Sequence, residues 1–144
     1  MIGIIVTGHG RFSEGMLSSL SMIAGNTEAL IGINFLESES TEDLDKNLLN
    51  AYTELRKTCE GVIIVCDLYG GSPFKSAAML SVEQENVSVL AGINLASCLE
   101  LIFARLSETN AQSLANSMLE KDTNRLIKFE IPVRVERNEE EEGI

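Results

Sequence analysis

Three short apolar runs constrain this chain more than any other feature: Ile2-Gly3-Ile4-Ile5-Val6, Gly61-Val62-Ile63-Ile64-Val65-Cys66 and Val87-Ser88-Val89-Leu90-Ala91. Each is rich in β-branched residues and bounded by Gly, Asp or Asn, the pattern of strands covered by helices on both faces. A fourth run, Ala29 to Phe35, is a weaker strand candidate. Amphipathic segments lie between them. Ser13 reads as the cap of a helix carrying Met16, Leu17, Leu20 and Ile23 on one side, with Gly25 as its stop. Thr41 reads as the cap of a second helix through Leu44, Leu48, Tyr52 and Leu55, with Glu42 and Asp43 at the positive end of its dipole. Ser72-Pro73 reads as a cap followed by proline at the first helical position, where the missing N–H costs nothing. Leu99 to Ala104 and Ala111 to Leu119 supply two further helices. Strands alternating with helices in this way imply βαβ units with right-handed crossovers. The expected fold class is therefore α/β: a doubly wound, mainly parallel sheet of about four strands flanked by helices.

One segment breaks the rhythm. Ile127, Phe129, Ile131, Val133 and Val135 alternate with Lys128, Glu130, Pro132 and Arg134, the period of a strand with one wet face. Pro132 cannot donate to a ladder, so this C-terminal strand belongs on an edge or in a bulge, paired with the same sheet or with a second subunit. With 144 residues, 44% of them hydrophobic, the chain is expected to form a single domain over residues 1–137. The acidic end, 138–144 with Glu139 to Glu142, reads as a solvated, disordered tail.

Composition excludes several function classes. With 22 acidic against 11 basic residues the chain repels nucleic acid, whose binding depends on cationic contacts with phosphates. No stretch approaches the roughly 20 apolar residues of a membrane span, and no basic segment leads into a signal-peptide core, so a cytoplasmic protein without membrane insertion is expected. Cys59, Cys66 and Cys98 are odd in number, far apart and set in apolar segments, which points to packed, reduced thiols. One histidine and no grouped thiol or carboxylate ligands argue against a metal site, and no cofactor is called for.

The chemistry-bearing residues fall at two strand ends. His9, the sole histidine, lies in Thr7-Gly8-His9-Gly10 directly after the first run. Asp67 follows the Gly61 to Cys66 run and opens Asp67-Leu68-Tyr69-Gly70-Gly71-Ser72-Pro73-Phe74. In a parallel sheet the C-terminal strand ends share one side, so His9 and Asp67 share a crevice if their strands are neighbours. A carboxylate accepting from one ring nitrogen fixes the imidazole tautomer and leaves the other nitrogen free to attack. Gly70 and Gly71 allow close backbone approach, and the helix beginning at Ser72 presents unpaired N–H groups suited to a tetrahedral anion. His9 attacking phosphorus, with the anion held by the Gly71 and Ser72 amides and the Ser72 hydroxyl, is one coherent reading. A hydrolase with Ser72 as nucleophile, His9 as base and Asp67 as orienting acid is another, although the Gly-x-Ser-x-Gly elbow is absent. The glycine pair does not match the Walker pattern, which needs a lysine and then Ser or Thr after the second glycine.

Gly-His-Gly at the end of the first strand, the later Asp-Leu-Tyr-Gly-Gly-Ser-Pro-Phe, and Ala91-Gly92-Ile93-Asn94-Leu95 together resemble the IIA component of the mannose family of the bacterial sugar phosphotransferase system over roughly residues 1 to 120. The resemblance implies that His9 takes a phosphoryl group from the phosphocarrier HPr and passes it to a histidine on an EIIB partner. EIIB would in turn serve the membrane components EIIC/EIID. It also implies that Asp67 orients the imidazole and that Ser72 lies beside the phosphoryl group. It implies a homodimer in which a C-terminal strand is exchanged, a role that the 127–135 segment fits. A regulatory module whose phosphorylation state is read by a partner would use the same residues. Leu68-Tyr69 in place of Thr-Trp, and Ala96 where proline is common, depart from the family pattern in ways that bear on partner contacts. No fused EIIB domain is expected within the 144 residues, so the acceptor is expected to be a separate protein.

Overall fold

The computed structural model describes residues 1–25, 27–122 and 126–133. Strands β1 (Ile2–His9), β2 (Leu30–Phe35), β3 (Gly61–Cys66) and β4 (Val87–Ala91) form one parallel sheet in the order β2-β1-β3-β4. Helices α1 (Phe12–Ala24), α2 (Thr41–Leu55), α3 (Ser72–Glu83), α4 (Leu95–Ala104) and α5 (Ala111–Glu120) connect and cover it. The doubly wound α/β architecture expected from the alternating runs is the one observed.

The two faces of the sheet explain why the central runs are apolar throughout. Ile2, Ile4 and Val6 of β1 and Ile63 and Val65 of β3 pack with residues of α1, α4 and α5, among them Leu20, Leu101 and Leu114. Ile5, Val62, Ile64 and Cys66 point the other way, against Leu44, Leu48, Tyr52 and Leu55 of α2 and Ala77 and Leu80 of α3. Burying such a side chain contributes about 1.5–3 kcal/mol, so both faces stabilise the central strands. Edge strand β2 is only half-buried along its length, which accounts for its weaker sequence signal. Cys59, Cys66 and Cys98 are buried free thiols, as expected.

Helix starts differ from the sequence reading. Arg11, not Ser13, precedes α1; Ser13 is the second helical residue, buried, and its hydroxyl donates to Asn34 Oδ1 at 2.6 Å. Gly25 ends α1 at φ 74°, but Ile23 is 58% exposed, because the last turn of α1 carries it away from the sheet. Ser40 caps α2 in place of Thr41: Asp43 N–H donates to Ser40 Oγ at 3.1 Å and Ser40 N–H to Asp43 Oδ2 at 3.0 Å. Gly71 is the cap residue of α3, so Ser72 is its first helical residue and Pro73 the second. The chain enters this helix through extended backbone at Gly71, which places Ser72 already inside the first turn.

Residues 126–133 form no strand, and Leu126, Ile127, Phe129, Ile131 and Val133 are exposed. The remaining two residues of the 127–135 segment and the 138–144 tail lie outside the described residues. No helix among the described residues is long and apolar enough to cross a membrane.

Candidate functional site

The strand order reverses between β1 and β3: from β1 the chain continues to β2 on one side, and from β3 to β4 on the other. In open α/β sheets the crevice beyond the C-terminal strand ends at such a point is where ligands bind. His9 is the last residue of β1, and Asp67 follows the last residue of β3, whose Cys66 pairs with Thr7. The topology therefore delivers the two side chains to the same point.

They meet. His9 Nδ1 lies 2.8 Å from Asp67 Oδ2, the same oxygen accepts from the His9 backbone N–H at 2.9 Å, and Oδ1 accepts from Leu68 N–H at 2.8 Å. Burial alone would raise the Asp67 pKa. The hydrogen bonds from His9 N–H, the His9 ring and Leu68 N–H outweigh it, and the carboxyl is held below its ordinary value of 3.8. An ionised Asp67 accepts from Nδ1–H, which places the proton on that nitrogen and leaves the Nε2 lone pair free. The Asp67 side chain is 13% exposed and that of His9 51%, so the carboxylate is sheltered while the imidazole opens to solvent. Neighbouring Cys66 is no competing nucleophile, because burial and the Asp67 charge push its thiol up to about 12.

The surrounding backbone is arranged for this contact. A Cβ on Gly8 would come within 2.6 Å of Phe12 Cδ1 and 2.9 Å of Asp67 Cγ, so the bare backbone there makes room for both the Phe12 ring and the carboxylate. Gly10, at φ 58°, turns the chain out of the strand and exchanges two backbone hydrogen bonds with Phe35 at the end of β2. The Phe35 ring centroid is 6.4 Å from that of His9. The loop after β4 is tied in as well: Gly92 and Ile93 N–H groups both donate to the Cys66 carbonyl.

Gly71 stands directly against the Cε1–Nε2 edge of His9. It begins α3, whose first-turn amides lack intrahelical partners, apart from Pro73, which has none to offer. Ser72 is the first residue of α3, directly after Gly71, and among the described residues its hydroxyl makes no hydrogen bond to His9. Leu68 and Tyr69 are 59% and 83% exposed beside the site, with the Tyr69 ring packed 4.5 Å from that of Phe74.

A family model described as the PTS system fructose IIA component matches residues 3–119. The chain belongs to this IIA family. Its relatives include mannose-, fructose- and sorbose-specific components of phosphotransferase systems. The mannose-specific EIIAB component of Escherichia coli K12 is 34% identical over 104 residues, covering 72% of this chain but only 32% of that longer protein. The fructose-specific EIIA component of Bacillus subtilis 168 is 31% identical over 105 residues, covering 73% of this chain and 71% of the other. The crystal structure of phosphotransferase component EIIA from Streptococcus agalactiae superposes with a TM-score of 0.80 at 32% identity, covering 89% of this chain and 97% of that one. The IIA fold thus spans the whole sheet and the five helices.

Two supporting contacts escaped the sequence reading. Asn34 holds Ser13, and Phe35 bridges to Gly10, so β2 braces the loop that carries His9. The signal was available in part, since a polar Asn34 just before Phe35 interrupts an otherwise apolar strand end.

Proposed function

We propose that this IIA chain is a phosphoryl carrier in which His9 Nε2 is the accepting atom. Nε2 attacks the phosphorus of phospho-HPr; the Nε2–P bond forms as the bond to the donor imidazole breaks, and HPr leaves with that electron pair. Nδ1–H stays on Asp67, whose charge offsets the positive charge gained by the ring. The phosphoryl group, with close to two negative charges, is received by the first-turn amides of α3 at Gly71 and Ser72 and by the Ser72 hydroxyl. A separate EIIB protein then removes it by the reverse chemistry and serves the membrane components EIIC/EIID. The single observation that carries the reading is the 2.8 Å contact of Nδ1 with Asp67, which leaves Nε2 as the free nitrogen. The half-exposed imidazole, flanked by exposed Leu68 and Tyr69, suits a donor that is itself a protein. We further propose a homodimer in which the alternating segment 127–135 pairs with a second subunit, since its apolar residues Ile127, Phe129, Ile131 and Val133 are exposed among the described residues.

Incubation with phosphoenolpyruvate, enzyme I and HPr should place one acid-labile phosphate on the chain, absent in His9→Ala, and mixing with candidate EIIB proteins should discharge it. No phosphate on wild type would refute the carrier. Phosphorylation without discharge to any EIIB would instead favour a regulatory module.

A further inference from the structure

Glycine is usually required where φ is positive, and Gly70 at φ 89° is such a place. Gly71 is not. Its backbone, at φ −75° and ψ 173°, is extended and open to any residue. What forbids a side chain there is His9: a Cβ on Gly71 would lie 2.7 Å from Cε1 and 3.2 Å from Nε2 of the imidazole, whereas ordinary contact begins near 3.4 Å. Nothing else meets it closely, the next neighbour being Pro73 Cδ at 3.8 Å.

We infer that Gly71 is a positioning residue that acts through its missing side chain, leaving the space that lets the His9 ring keep its bond to Asp67 while presenting Nε2. The inference rests on the reading of His9 as the phosphoryl acceptor. It is separate from any role of the Gly71 amide, which every residue but proline would retain. The ring is held by Asp67 at Nδ1, has the Phe35 ring centroid 6.4 Å away, and meets Gly71 at its Cε1–Nε2 edge. A Cβ at 71 forces Cε1 to retreat by about 0.7 Å. Cε1 is bonded directly to Nδ1, so the 2.8 Å hydrogen bond to Asp67 is lengthened or misaligned by the same movement. Misplacement of a reacting group on the order of 1 Å costs roughly 100-fold in rate.

The test is Gly71→Ala, with Gly70→Ala for comparison. Gly71→Ala should lower the initial rate of phosphorylation by HPr at least tenfold and move the ¹⁵N resonances of the unphosphorylated His9 ring. Gly70→Ala should lower the melting temperature through its backbone and leave those resonances in place. Combining Gly71→Ala with His9→Ala should remove any loss of melting temperature that Gly71→Ala causes alone, because the obstructed atoms are gone. Wild-type ring resonances in Gly71→Ala, or a loss of folding that persists in the His9→Ala background, would overturn the inference. If wild type takes up no phosphate, the carrier reading fails, while the ring resonances and the melting cycle still decide the role of Gly71.

Discussion

Replacing Asp67 with asparagine tests how the site prepares Nε2, because it keeps the shape and removes the charge. The carboxylate accepts three hydrogen bonds, two at Oδ2 from His9 and one at Oδ1 from Leu68 N–H. An asparagine has one acceptor oxygen. Placed at the Oδ2 position, it keeps both His9 contacts but sets its NH₂ against Leu68 N–H. Placed at the Oδ1 position, it keeps Leu68, opposes the His9 N–H, and donates to Nδ1, so the proton moves to Nε2 and the nucleophilic lone pair is lost. The first orientation satisfies two contacts and dominates, so most molecules keep the productive tautomer. What is lost in them is the charge facing a ring that becomes positive as Nε2 bonds to phosphorus. A hydrogen bond to a charged group contributes about 1.5–3 kcal/mol, which converts to a rate reduction of about 10- to 100-fold. Molecules in the second orientation deepen the loss. The assay is the initial rate of phosphate incorporation from phospho-HPr, with ¹⁵N spectra of the ring reporting the tautomer. An Asp67→Asn rate within about twofold of wild type would refute the account of Asp67 as an electrostatic partner.

The hydrogen bonds that Asp67 accepts in the unphosphorylated protein also contribute to folding stability, and acid should remove that contribution. Because the folded pKa of Asp67 is lowered, its share is present above the ordinary carboxylate value of 3.8 and is lost as pH falls through the lowered value. The melting-temperature gap between wild type and Asp67→Asn should therefore hold from neutral pH down to about 5 and close at stronger acidity. Ser72→Ala should leave the unphosphorylated His9 ring unchanged in ¹⁵N spectra, since its hydroxyl does not touch it, and lower the phosphorylated fraction at equilibrium about 2- to 10-fold, the value of one hydrogen bond. Ser40→Ala should destabilise the protein by about 1 kcal/mol in urea titration while Thr41→Ala changes little, because only Ser40 caps α2. Arg105, buried 2% exposed just after α4, donates to the carbonyls of Ile2, Glu28, Ala29 and Ile102 at the end of the sheet away from His9. Arg105→Ala removes four hydrogen bonds at once, those to Ile2 and Ile102 buried, and should cost about 3 kcal/mol, with the phosphorylation rate of the folded fraction preserved.

What could be read from the sequence follows a physical division. The sheet was legible because β1 and β3 are covered on both faces, and that alone requires continuous β-branched runs. The meeting of His9 with Asp67 followed from topology, since neighbouring parallel strands end on one side and both residues stand at such ends. Helix starts were less legible because several polar residues compete for each cap and the backbone entry angle decides among them. For α2 the deciding signal was present: Ser40, not Thr41, has a carboxylate three residues on, the reciprocal partner of a capping box. For α3 no side-chain rule applies, as the cap is Gly71 and makes no side-chain hydrogen bond.

Ser13 and Gly71 fall on the far side of that division. Each has a local explanation, a helix cap for the serine and close backbone approach for the glycine, and each also meets a side chain or strand remote in sequence. Ser13 is spent on Asn34, a residue from another strand, and Gly71 is small because an imidazole from β1 lies against it. A residue chosen for its own backbone announces itself in its neighbours along the chain. One chosen to make room for a distant side chain announces itself only once packing has placed that side chain. Functional sites concentrate the second kind, because a reactive group must be confined on several sides at once by elements remote in sequence. At this site the confining groups come from β1, β2, β3 and α3, and the motif reading could name only those whose own chemistry gave them away.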